Sequence, residues 1–80
     1  RNKPFNYSEK ASQILAEKWV DTTDIKNTLT HGDVDFDNSN IEVGNGKIYV
    51  IEGKTSKNQE ITLKVINYSD RAELQDIIKN

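Results

Sequence analysis

Apolar and polar positions alternate most clearly between Lys47 and Tyr68, in the stretch KIYVIEGKTSKNQEITLKVINY. Two β-prone runs flank a short polar loop, a pattern that predicts an antiparallel hairpin. In the second run Ile61, Leu63 and Val65 share one face, and Glu60, Thr62 and Lys64 share the other. The first run puts apolar groups on both faces, through Ile48, Tyr49, Val50 and Ile51. This asymmetry predicts a sheet with helices on one face and a second face that is partly apolar.

Upstream the period changes. Ser8 is a suitable N-cap, with Glu9 in the first turn where the helix dipole favours an anion. Ala11, Ile14, Leu15, Lys18 and Trp19 follow at helical spacing, predicting a helix from about Ser8 to Trp19. A second helix is predicted to start at Asp21-Thr22-Thr23-Asp24, capped by Thr22 or Thr23. It would bury Ile25 and Leu29 and end at Gly32 in a left-handed conformation. Asp33 to Asp37 alternates as a short strand with Val34 and Phe36 inside. Asn38 to Gly46 reads as a turn-rich loop in which Ile41 and Val43 could extend a strand. Ser69 to Asn80 is open between two readings, although the spacing of Leu74, Ile77 and Ile78 suits a helix better than a strand. These elements predict an extended lead-in over residues 1–7 and one α+β domain over 8–80. Its two N-terminal helices would pack on one face of a small antiparallel sheet of three to four strands.

With 80 residues, 34% hydrophobic and 30% charged, the chain is near the lower size limit for a self-sufficient core. We expect roughly fifteen core side chains, and a stability low in the range of roughly 5–15 kcal/mol. The chain has no cysteine, which excludes disulfides and cysteine-ligated metal. The net charge of −2 and the scattered basic residues argue against nucleic acid as a partner. No run reaches the ~20 apolar residues of a membrane span. The chain also lacks methionine, so Arg1 is read as following a removed or omitted segment of a longer protein.

A set of short motifs in a fixed order then emerges. It begins with Tyr7-Ser8-Glu9-Lys10-Ala11 at a helix start. Leu29-Thr30-His31-Gly32 follows, then the acidic Val34-Asp35-Phe36, Ser39, Ile51-Glu52-Gly53, and Asn58-Gln59-Glu60 leading into a long strand. In this order the chain resembles the domain-of-unknown-function 4258 family, in the form found in Bacteroidetes, over about Tyr7 to Ile78. The resemblance implies an α+β fold with helices on a small antiparallel sheet. It also implies an N-terminal hydrophobic anchor in related chains, hence an envelope-associated location, and a final segment that forms a strand. Some members carry several cysteines, and a role resting on them is closed to this chain. No agreed activity comes with the family.

Little in the sequence resembles a catalytic constellation. Asp33, Asp35 and Asp37 look like the start of a calcium loop, but the positions that need glycine and glutamate hold Asn38 and Gly44. His31 is the single histidine, placed where a helix C-terminus favours its protonated form. Zinc needs more nitrogen or sulfur ligands than the chain offers. No metal and no cofactor is therefore assigned. The main reading is a non-catalytic binding or protein-interaction module. It would use the outer sheet face around Ile66 and Tyr68, joined by Ile48 with Val50 or by Tyr49 with Ile51, to hold a protein partner or a second copy. The competing expectation is that Phe5 and Tyr7 of the lead-in, or the C-terminal segment, cover that face. The alternative function is a small ribonuclease-toxin-like domain. In it Lys64, Tyr68 and Arg71 would position RNA and stabilise charge developing at phosphorus.

Overall fold

The computed structural model describes residues 4–39 and 41–80. Residues 1–3 of the expected lead-in and Asn40 of the expected loop lie outside the described residues. The elements are β1 (Phe5–Tyr7), α1 (Glu9–Ala16), α2 (Thr22–His31), β2 (Asp33–Val34), β3 (Ile41–Val43), β4 (Gly46–Lys54), β5 (Glu60–Tyr68) and β6 (Ala72–Lys79). Among the described residues the fold is thus α+β, with both helices ahead of the main meander. The sheet has six strands rather than three or four, in the order β1-β6-β5-β4-β2, with β3 also on β4. All pairings are antiparallel except β1 with β6.

Ser8 begins α1 as its spacing predicts. Its hydroxyl accepts a hydrogen bond from the Ala11 amide at 3.1 Å and donates to the Gln75 carbonyl at 2.8 Å. The helix ends at Ala16 and does not reach Trp19. Lys18 takes a left-handed backbone, φ 68°, and the amides of Glu17 and Lys18 turn back to the carbonyls of Ile14 and Leu15. This early stop lets Val20 drop into the core.

Asp21, and not Thr22 or Thr23, caps α2. The Asp24 amide donates to Asp21, and the Asp21 amide donates to Asp24, at 3.0 and 3.1 Å. Reciprocal carboxylate capping satisfies two free amides at once, which a threonine cap with an apolar third residue could not do. The Asp24 carboxylate is buried and also accepts from the Ser56 amide at 2.8 Å, tying the helix start to the β4–β5 turn. Gly32 ends α2 with φ −73°, not in the left-handed region. Its missing side chain serves close approach, since a Cβ there would lie 2.5 Å from the carbonyl oxygens of Glu52 and Thr28.

The core gathers Ala11, Val20 and Ile25 from the helical half against Ile61, Leu63, Val65, Leu74 and Ile77 of the sheet. Six partly buried apolar residues pack around these eight. The alternation of Ile61, Leu63 and Val65 therefore faces the helices. Ser69 to Asn80 yields the strand β6, against the local helical reading. The reason is a β-bulge. Lys64 opposes Asp76 while Val65 opposes Leu74, so Gln75 is an extra residue on β6. One inserted residue changes the strand spacing from two to three, and Leu74 and Ile77 both reach the core while mimicking a helical stripe.

Candidate functional site

The predicted strand Asp33 to Asp37 breaks after Val34. The Asp35 carboxylate accepts from the Asp37 amide at 3.1 Å and the Asn38 side-chain amide at 2.8 Å, and the Asn38 amide donates to the Asp35 carbonyl. An aspartate that captures its own downstream amides favours a turn over a strand ladder. Phe36, expected inside, therefore stands on a turn and is 83% exposed. Val34 is exposed as well.

This turn interrupts one continuous sheet edge. Val34 opposes Ile51 and Ile41 opposes Ile48, so seven steps on one side face three on β4, leaving four extra residues. The gap is closed at Val50. Its carbonyl accepts from the Asp35 amide at 2.8 Å, and its amide donates to the Ser39 hydroxyl at 2.9 Å. Beyond the turn, Ile41 is 50% and Val43 38% exposed. Val34, Ile41 and Val43, on strands whose sheet neighbour among the described residues is β4 alone, and Phe36, on the turn between them, are thus four exposed apolar side chains beside β4; Val34 shares the helix-covered face with Ile51, and Ile41 the outer face with Ile48.

The structure divides the residues that sequence reasoning proposed as a site. Ile48 opposes Ile66 and Val50 opposes Lys64, so the outer face holds Ile48, Val50, Lys64, Ile66 and Tyr68. Tyr49 opposes Val65 and Ile51 opposes Leu63, on the helix-covered face. The outer face is not an open apolar patch, because Ile66 is only 6% exposed and Val50 is also buried. Phe5 and Tyr7 do not cover it. They extend the sheet, opposing Ala72 and Leu74, and Tyr7 packs against the core. Arg71 lies 4.0 Å over the Tyr68 ring and pairs with Asp70 at 3.0 Å. Lys64 stands apart from that pair, with Asp76 opposite it on β6.

Two hollows flank the sheet ends. One of about 430 Å³ is lined by Lys47, Tyr49, Asn67 and Tyr68 among others, and it brings the two tyrosines to one rim. The other, about 310 Å³, lies between His31, Asp33, Glu52, Lys54 and Glu60. Among the described residues, no group of three His, Asp or Glu side chains could hold a metal ion. Neither described helix is long and apolar enough to cross a membrane.

A family model described as a domain of unknown function, DUF4258, matches residues 7–79. The chain belongs to this family. The DUF4258 match spans every element from the end of β1 to the last residue of β6. Comparison with curated proteins and with solved structures gave no significant match. The geometry of this DUF4258 domain must therefore carry its functional reading. The exposed edge was missed in the sequence because Val34 and Phe36 alternate as core residues do. The one available signal was the Asp35-to-Asn38 turn chemistry, Asp-Phe-Asp-Asn.

Proposed function

We propose that the domain is a non-catalytic protein-interaction module that docks a partner along the β2–β3 edge. The observation that carries this is Phe36, held 83% exposed on a turn fixed by Asp35. A preorganised aromatic costs little entropy on binding and is the residue type that most often anchors an interface. Ile41 and Val43 flank it and supply apolar surface of the kind that marks docking sites.

The test compares wild type with Phe36→Ala in quantitative capture, and then measures the affinity of each purified captured protein for both. Loss of an aromatic anchor at about 2 kcal/mol weakens binding about 30-fold. Equal affinity of every captured protein for both forms overturns the reading.

A second reading, a ribonuclease-like domain, is favoured by one arrangement: the Tyr68–Arg71 stack beside a hollow that contains Lys47, Tyr49 and Asn67. Aromatic faces with nearby cations are suited to single-stranded nucleic acid. RNA cleavage that disappears in both Lys47→Ala and Arg71→Ala would establish it against the interaction reading.

A further inference from the structure

We infer that the hollow between the β3–β4 and β5–β6 turns binds a neutral saccharide, with one sugar ring seated against Tyr49. This goes beyond the docking reading. The side chains of Glu42, Lys47, Tyr49 and Asn67 stand on the opposite sheet face from Ile41 and Val43, and Phe36 is not part of the lining.

The register brings the lining together. Glu42 opposes Lys47 across β3 and β4, and Lys47 opposes Asn67 across β4 and β5. Directly opposed residues share a face, and Tyr49 follows two residues after Lys47 on that same face. The four side chains therefore form one patch on the side of the sheet that carries the helices. No residue of α1 or α2 lines the hollow, so the helices stop short of this end. Gly44 and Asn45 of one turn and Ser69 of the other complete the lining. The space is about 430 Å³, within the roughly 300–1,000 Å³ of small-molecule sites.

The chemistry of the lining selects the ligand. Tyr49 is half-buried and offers a held aromatic surface, and the electron-rich face of such a ring attracts the C–H groups of a sugar. Lys47, Asn45, Asn67 and Ser69 supply donors, while Glu42, the two amides and Ser69 supply acceptors. Among the described residues, the side chains of Glu42, Lys47, Tyr49 and Asn67 make no hydrogen bond or ion pair within the protein. They are open to the hydroxyls of a ligand, each of which donates and accepts through one atom. A phosphate or carboxylate ligand fits less well, because Glu42 opposes Lys47, the one cation of the lining. An apolar ligand would leave these polar groups unpaired.

The test is an amide-resolved NMR titration of the domain with methyl β-glucoside, methyl β-galactoside and N-acetylglucosamine, each to about 50 mM, above the millimolar constants of weak sites. Glycerol and uridine monophosphate are titrated beside them. At least one sugar is expected to shift the amides of Lys47, Tyr49, Asn67 and Ser69 saturably. Tyr49→Leu, which keeps apolar bulk, and Asn67→Ala should each weaken that sugar about tenfold, the equivalent of one lost ring contact or hydrogen bond. Asn67 is exposed, so its variant keeps the fold. Unchanged affinity in both variants, equal shifts from glycerol, or no shift from any of the three sugars overturns the inference. Saturable binding of uridine monophosphate alone overturns it too, in favour of the ribonuclease-like reading. The docking reading is decided separately, at Phe36.

Discussion

Replacing Ser39 by alanine removes a single oxygen at the place where the interrupted edge is stitched to β4. Ser39 and Val50 are both buried. The Val50 carbonyl keeps its bond from the Asp35 amide at 2.8 Å, but the Val50 amide loses the Ser39 oxygen 2.9 Å away. A buried donor left without a partner costs about 1–3 kcal/mol. For a domain near the low end of roughly 5–15 kcal/mol, that is a large share of the total. With a urea slope of about 1–2 kcal/mol per molar for so small a chain, the unfolding midpoint should fall by about 0.5–3 M. Fluorescence of Trp19, the single tryptophan, reports the transition. Hydrogen exchange at the Val50 amide reports the local event and should accelerate more than its neighbours on β5. A midpoint unchanged within about 0.3 M, with Val50 still protected, would mean that water replaces the hydroxyl and that this seam is not dry.

Three further substitutions probe the scaffold. Asp24→Ala removes half of a capping box and the acceptor for the Ser56 amide, and thermal unfolding should show a loss of about 2–4 kcal/mol; a loss under 1 kcal/mol would show the clasp to be incidental. Gly53→Ala would place a methyl group 2.6–2.7 Å from the Thr28 side chain and should destabilise by about 1–3 kcal/mol through overpacking, whereas unaltered stability would mean that α2 can slide on β4 freely. Lys18→Gly should stabilise by about 0.5–1 kcal/mol, because Lys18 holds a left-handed backbone that glycine adopts without a Cβ clash; a less stable variant in urea would count against that account.

The parts of the fold legible in the sequence are those where one rule acts alone. Ile61, Leu63 and Val65 alternate without interruption, and their strand and buried face followed directly. Ser8 followed from capping chemistry. The misreadings arise where two rules compete. Leu74 and Ile77 are three apart because a bulge lies between them, and a bulge in a strand has the same spacing signature as one helical turn. Phe36 alternates with Val34 like a core residue, yet the Asp35 carboxylate binds the chain into a turn before the strand can continue. The four apolar residues of β4 could not be sorted by pattern, since both faces are apolar; only the register with β5 assigns Ile48 and Val50 outward and Tyr49 and Ile51 inward. The candidate edge was hidden for the same reason as Phe36.

The parallel pairing of β1 with β6 sets the order in which the molecule can be completed. Phe5 to Tyr7 meet Ala72 to Leu74, and Ser8 reaches the Gln75 carbonyl, so the start of α1 is fastened by residues almost at the other end of the chain. During synthesis the first helix emerges long before its anchor does, and the closure that fastens it spans nearly the whole chain. Closures of such long sequence separation slow folding. The β4–β5 hairpin can form early and locally, while α1 and β1 wait for β6 to emerge from the ribosome. Emergence of β6, more than any nucleus in the N-terminal half, is therefore the step that lets this domain close.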